Sequence, residues 1–401
     1  MIEANPGAGA EGSLAIFIGT HRRLVASVTV KSSRPLMMPQ IFVGKRPDEL
    51  ISLLPLLYSV CGVAQGCAAA LALEQALGIP GSRRVNSARR LLVCFESLRE
   101  HLWRVELDWA GYLGTAPRPD LIALVSKAAQ NVRQMLFGEV NPFLPKVPEP
   151  QPVSCEFEAL LEGIAQALAE RIYHCAPERW LQLSTWQELD DWTKRGDSVA
   201  ARMLCSIHAA GLSAIGSNPV AGLPALEPEV LERRLQASGE EFVAYPSWCG
   251  KAWETGALPR QAGHPLMSSL IGWFGNGLLP HLAARLLELA TLMEGLRRGG
   301  EALEHPQVSG LGGGKPSEGI GLSQVETSRG RLIHRVEVAH GRVSQYQIVA
   351  PTEWNFHPRG VVVEGLKRLP AEDNDKLQQL AELWVGAIDP CVAFRVEVVP
   401  V

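Results

Sequence analysis

Apolar residues change their period along the chain, and each change marks an element. Residues 14–30 (LAIFIGTHRRLVASVTV) are rich in Val and Ile on both sides of a polar turn and predict two short strands, with Arg22-Arg23 at a strand edge. Pro47-Asp48-Glu49 opens a helical stretch over 48–77 that is interrupted near Pro55 and again at Cys61-Gly62. Over 83–109, Leu91, Phe95, Leu98, Leu102, Val105 and Trp109 recur every three or four positions, one apolar stripe of a long helix. A third helix is predicted over 119–137. Residues 141–153 (NPFLPKVPEPQPV) hold five prolines and read as a linker. Helical patterns return at 155–174, 186–211, 226–237 and 268–297. The glycine-rich loop 306–321 lacks a GxGxxG in register between strand and helix, which excludes a dinucleotide fingerprint. After it the period becomes two. RLIHRVEV and VSQYQIV flank Ala339-His340-Gly341 as a hairpin, a helix covers 371–385, and FRVEVV (394–399) alternates as a strand does. The pattern predicts an α+β, helix-dominated chain, with small sheet pieces contributed by both ends.

Composition narrows this further. A hydrophobic fraction of 46% and 38 basic against 42 acidic residues describe a globular protein and remove the electrostatic case for nucleic-acid binding. Residues 50–73 carry no charge, but Ser52, Pro55, Gly62, Gln65 and Gly66 interrupt them, so a buried helix pair is expected rather than a membrane span. The N-terminal stretch has neither a basic nor a long apolar segment, so a cytoplasmic location with reduced thiols is expected. The eight cysteines form no paired CxxC motif.

Two thiols stand in suggestive settings. Cys61-Gly62 opens a helical segment, where unpaired N–H groups favour thiolate, so Cys61 is expected to be the more acidic of the two. Pro390 makes a rigid mount for Cys391 and is expected to push Asp389 into an extended conformation. Taken alone, each reads as well as a buried structural cysteine or a plain turn.

Taken together, the motifs resemble the large subunit of nickel–iron hydrogenases. Glu11-Gly12-Ser13-Leu14 is similar to that family's EGHLR element, with Ser13 for His. CGVAQGCAAALALEQALGI (61–79) resembles its CGVCxxxH helix, and RRLLVCFESLREHLWRVELDW (89–109) its HDHxxHFYHLHALDW helix. SRG (328–330) stands where the family has APRG, with His334 following. YQIVAPTEWNFHPRG (346–360) is very close to YQxVVPTTWNxxPRD, and DPCVAFRVE (389–397) matches the start of DPCxxCxxH. These stretches cover about a third of the chain in preserved order, and 141–265 finds no match. The resemblance implies a hydrogenase large-subunit-like fold with a long-helix core, in one domain over 1–401.

The departures carry the functional expectation. The family holds a nickel–iron centre on two CxxC motifs. Here the first positions survive as Cys61 and Cys391, while the second are Ala64 and Phe394, which have no lone pair for a metal. Cys67 is a third candidate ligand, a partial substitute beyond Ala64. The family's histidines are replaced by Ala68 and Glu397, and with Val401 four residues beyond Glu397 no cleavable extension is expected.

A degenerate site with two thiols resembles the hydrogenase assembly proteins of the HupK/HoxV type. That resemblance implies a non-catalytic maturation scaffold, not an enzyme, that transiently carries an Fe(CN)2CO unit without nickel. Cys61 and Cys391 would be its ligands, and Glu11, Arg329, Pro351 and Asp389 would surround it. Its partners would be chaperones of the HypC/HypD type and the hydrogenase large subunit, with no nucleic acid and no membrane span. The competing expectations are a relative of the complex-I quinone-site subunit and a metal-free structural paralogue.

Overall fold

The computed structural model describes residues 12–58, 60–304 and 319–400. Glu11, Ser59 and most of the glycine-rich loop therefore lie outside the described residues. Strands β1 (Ser13–His21) and β2 (Leu24–Ser32) pair antiparallel, with Arg22 and Arg23 in left-handed conformation forming the turn between them rather than a strand edge. The apolar run that follows Pro47 is two helices, α1 (Pro47–Leu57) and α2 (Gly62–Ala76). Among the described residues no helix is long and apolar enough to cross a membrane.

The long stripe becomes α3 (Arg83–Trp103), and α4 (Asp120–Phe137) and α5 (Cys155–Leu168) follow the predicted ranges closely. Glycine and a capping serine split the pattern over 186–211 into α6 (Trp186–Arg195) and α7 (Val199–Ala209), since Ser198 accepts from the Ala201 N–H and starts a new helix. Next come α8 (Pro228–Ala244), α9 (Pro265–Phe274) and α10 (Leu278–Glu304), the last two divided at Gly275. Strands β3 (Ile320–Thr327), β4 (Gly330–Ala339) and β5 (Arg342–Val349) form an antiparallel sheet. Only its β4–β5 hairpin is legible from alternation, because β3 follows directly on the glycine-rich loop. The turn α11 (Pro351–Asn355) and the helix α12 (Asn374–Ile388) lead to β6 (Ala393–Pro400).

Helix α10 is the axis of the largest core. Its residues Leu279, Leu282, Leu286, Leu287, Leu289 and Met293 are all buried, so apolar residues surround it and it packs on α3 and several other helices. The N- and C-terminal parts of the chain meet in the sheet β2–β1–β6, where β1 and β6 run parallel from Ser13 opposite Ala393. The proline-rich stretch 141–153 is no free spacer. Arg89, wholly buried on α3, donates to the carbonyls of Pro142 at 2.7 Å and Leu144 at 2.9 Å and to Glu74 at 2.7 Å, which straps it onto α2 and α3.

Helix α2 carries six buried alanines, and this small surface lets β3 approach closely. A Cβ on Gly321 would lie 1.8 Å from the Ala72 carbonyl oxygen. Gly321→Ala is therefore expected to force α2 and β3 apart and to destabilise the protein by at least about 1–3 kcal/mol, the usual range for overpacking. Urea unfolding of the variant checks this, and an unchanged midpoint would contradict the close packing.

Candidate functional site

Helices α2 and α3, the turn α11 and the segment before β6 converge on two sulfurs. Cys61 is the N-cap residue of α2. The carboxylate of Glu96, on α3, takes up the helix's first free N–H groups, accepting from Val63 at 2.8 Å and Ala64 at 3.0 Å. Burial still pushes Glu96 up to about 7. The expected acidity of Cys61 is corrected here. Burial, then the neighbouring Cys391 and Glu96, raise it far above the usual thiol range, and the Gln65 amide and Arg329 offset this only in part. The helix terminus loses to desolvation because Glu96 has already occupied its donors.

Cys391 has a different setting. Arg34 Nη1 donates to its Sγ at 2.9 Å, and Thr352 Oγ1 lies 3.1 Å from the same sulfur. Arg34 Nε lies 3.2 Å from the buried carboxylate of Glu353. Burial opposes the Arg34 charge, but Glu353 and the two thiols outweigh it and raise its pKa. Cys61 and Cys391 both act electrostatically on Arg34 and on Arg329, and Cys391 acts on Cys61, so the fold places the two thiols within electrostatic reach of each other.

Asp389 anchors the cationic side. Arg104 Nη2 lies 2.7 Å from Oδ1, Arg329 Nε donates to Oδ1 at 3.2 Å, and Arg285 Nη1 donates to Oδ2 at 3.0 Å. Burial alone would raise its pKa, yet Arg329, Arg104 and Arg285 hold it well below the usual carboxylate range. Arg329 also donates to Glu100 at 3.0 Å. The extended conformation expected for Asp389 is not found: it is left-handed, with φ 65° and ψ 77°, where it ends α12. An aspartate tolerates this region, and three guanidinium contacts hold it there. Gly330 follows Arg329 at φ 128°, and a Cβ there would lie 2.5 Å from Thr255, so no larger residue fits beside that arginine. At Arg104 the α3 helix widens into a π-helical stretch, Arg104–Trp109, at the residue that reaches Asp389.

Of the residues singled out from sequence, Cys61, Cys391, Arg329 and Asp389 are brought together. Pro351 opens the turn that places Thr352 on Cys391. Cys67 is not brought to the pair: it is buried in the apolar cluster around α2, where burial raises it to about 12 and its charged neighbours are Arg89, Arg90, Glu74 and Glu96. Six positions further along a helix, it lies about 240° around the axis from Cys61. Glu11 lies outside the described residues. Sequence reading missed Arg34, Glu353, Glu96, Glu100 and Gln65. At Gln65 and Glu96 the signal was thin, a polar residue inside an apolar run, and at Arg34 there was none. Among the described residues, no three His, Cys, Asp or Glu side chains converge as a metal-binding group.

A cavity of about 800 Å³ opens onto Cys391. Arg99, Arg104, Arg329 and Asp389 give it a charged wall, and Trp103 and Phe394 an apolar one. Phe394 thus occupies the wall of the opening.

A family model described as nickel-dependent hydrogenase matches residues 283–396. The hydrogenase expression/formation protein HoxV of Cupriavidus necator is 30% identical over 394 residues, covering 92% of each chain. The hydrogenase expression/formation protein HupK of Azotobacter vinelandii is 29% identical, covering 97% of this chain and 99% of that one. Among solved structures, a [NiFeSe] hydrogenase of Desulfovibrio vulgaris Hildenborough superposes with a TM-score of 0.63 at 16% identity, over 93% of this chain and 94% of that one. The Ni-Fe-Se hydrogenase of Desulfomicrobium baculatum gives 0.63 at 14% identity, over 93% and 95%. These structural likenesses establish the hydrogenase large-subunit-like fold.

Proposed function

Because the chain belongs to the HupK/HoxV hydrogenase expression/formation proteins, within the nickel-dependent hydrogenase family, we propose that it is a non-catalytic maturation scaffold that carries an Fe(CN)2CO unit on Cys61 and Cys391. A role in hydrogenase maturation accords with the relatives' names. The observation that carries the finer reading is the two-thiol site itself. It offers two sulfurs, each beside a hydrogen-bond donor, and the positions that could bridge a second metal are Ala64 and Phe394.

The iron is cargo. Two soft thiolates and three diatomic ligands give low-spin iron five donors, so the protein need not surround it. Arg329 lies within electrostatic reach of both thiols, and the guanidinium hydrogens not used on Asp389 and Glu100 are suited to donate to a cyanide nitrogen. Without bridging thiolates the iron is held less permanently than in a two-metal centre, as onward transfer requires. The cavity at Cys391 supplies a route of entry and exit, and a chaperone donor of the HypC/HypD type and a hydrogenase large subunit are the exchange partners. A quinone-site relative would have no use for two thiols beside buried guanidinium groups.

The test is infrared spectroscopy of protein purified anaerobically from cells that express the maturation machinery. One carbonyl and two cyanide bands are expected, with iron present and little nickel. Stoichiometric nickel with hydrogen turnover would overturn the reading. Arg329→Lys keeps the charge but loses the planar fork, so shifted cyanide bands are expected with the iron retained. Unchanged bands would leave Arg329 with a structural role only.

A further inference from the structure

We propose that Gln65, His334 and Tyr346 form a buried relay that holds a hydrogen-bond donor on the Cys61 sulfur and so sets how firmly that sulfur holds the iron. The proposal rests on the iron-carrying reading and adds three positioning residues that sequence motifs did not assign.

Gln65 is 1% exposed, on a helix whose other buried residues are almost all apolar. An amide in such a place is costly unless all its groups are bonded. Its Nε2 lies 3.6 Å from Cys61 Sγ, one helical turn back. Its Oε1 lies 2.8 Å from Nε2 of His334 on β4, which is itself wholly buried. The other ring nitrogen, Nδ1, lies 2.7 Å from the hydroxyl of Tyr346 on β5. The chain of contacts therefore runs from the sulfur through an amide and an imidazole to a phenol.

Donor and acceptor roles follow from the iron. A sulfur bound to metal has no proton to give, so it can only accept, and the Gln65 amide must present N–H to it. The Gln65 carbonyl then faces His334 and can only accept, so His334 carries its proton on Nε2. Nδ1 is left with a lone pair and accepts from the Tyr346 hydroxyl. Every buried polar atom of the three side chains that faces this path is then satisfied, with no alternative assignment once iron is bound. Burial also lowers the His334 pKa to about 3, so the ring stays neutral and the relay keeps its direction over the physiological pH range. The ring of Tyr346 packs edge-on against those of Phe42 and His334, which fixes the far end.

A donor on a ligating sulfur draws charge from it and changes its bond to the metal, and a fixed partner behind that donor preserves its orientation. Gln65→Leu fills the space without a donor. Tyr346→Phe removes only the hydroxyl. His334→Ala removes the middle. Loaded with Fe(CN)2CO, all three are expected to show the carbonyl band at lower wavenumber than the parent protein. Iron retention during gel filtration should fall by about 10–100-fold for Gln65→Leu and His334→Ala, the usual effect of losing an outer partner of a metal ligand, and by less for Tyr346→Phe. Unshifted bands and full retention in Gln65→Leu and Tyr346→Phe, both of which should fold, would overturn the relay. Nitrogen-15 spectra of histidine-labelled, iron-free protein give an independent reading. His334 should be neutral with both ring nitrogens hydrogen-bonded, and Tyr346→Phe should move the Nδ1 signal. A ring with either nitrogen free of a hydrogen bond, or an Nδ1 signal unmoved by Tyr346→Phe, would overturn the proposal. If the parent protein never shows carbonyl or cyanide bands, the iron-carrying reading fails, and the nitrogen spectra still decide whether the relay exists.

Discussion

Cys61→Ala combined with Cys391→Ala is expected to abolish the carbonyl and cyanide bands of anaerobically purified protein, and each single substitution to weaken iron retention strongly. The two sulfurs are unequal in the iron-free chain. Cys391 already faces a guanidinium at 2.9 Å and a hydroxyl at 3.1 Å, while Cys61 is raised by burial. Loss of Cys61 removes the sulfur that the Gln65 amide serves, and loss of Cys391 leaves Arg34 facing a void. Cys67→Ala serves as the internal control. That thiol sits in the apolar cluster around α2, so its loss should leave the bands in place at a small cost in stability. Intact bands in the double variant would remove Cys61 and Cys391 as ligands even if the protein carries the unit elsewhere.

Asp389→Ala is expected to be among the most destabilising single substitutions in the chain. It would leave Arg285, Arg104 and Arg329 without their common carboxylate. Arg329 would retain Glu100, and Arg104 would retain Asp108. Among the described residues, Arg285 would retain the Ala387 carbonyl and a ring nitrogen of His101. Breaking a buried ion pair by removing one partner typically costs about 3–5 kcal/mol, because an uncompensated charge stays buried. Denaturant unfolding measures it, and a loss below about 1 kcal/mol would mean that the arginines find water or other partners. The acid side follows from the same contacts. Asp389 is depressed in the folded state, so its contribution is full above the unfolded carboxylate value, about 3.9. It is lost as pH falls through the lower folded value. Asp389→Asn should therefore show a flatter loss of stability below about pH 4 than the parent chain.

The sheet pieces and long helices were legible because periodicity survives in a single sequence. The strands at 14–30 and 394–399 and the hairpin about His340 all appear within a few residues of their predicted places. The β1–β6 pairing could not be read from local pattern, because it joins residues near opposite ends of the chain. At the candidate site, motif order singled out Cys61, Cys391, Arg329 and Asp389. It missed Arg34, which follows a strand with no pattern around it and reaches Cys391 only through the fold. The acidity expected of Cys61 is not met either, since burial raises the thiol and Glu96, more than thirty residues on, caps the same N–H groups. Contacts between distant segments set the electrostatics, and these are what a linear reading lacks.

The parallel pairing of β1 with β6 has a consequence in chain entropy. Residues 61 and 391 are separated by 391 − 61 = 330 positions. Bringing two such points together in an unfolded chain costs about 6 kcal/mol by loop-closure arithmetic for a cross-link of that span. Strand pairing near both ends, from Ser13 opposite Ala393 onward, has already confined the chain that leads to Cys391 before any metal arrives. Two thiols that would make a poor chelate on a flexible polymer would, on the proposed reading, meet the iron as a preorganised pair. The confinement has two parts: β6, at the edge of its sheet, holds the residues after Cys391, and the contacts of Asp389 with Arg104, Arg285 and Arg329 hold the chain before it, so fraying of the strand alone would free only the C-terminal side. The distance between the two thiols is thus set by backbone pairing on one side of Cys391 and by a buried ion cluster on the other, neither of which involves the sulfurs themselves.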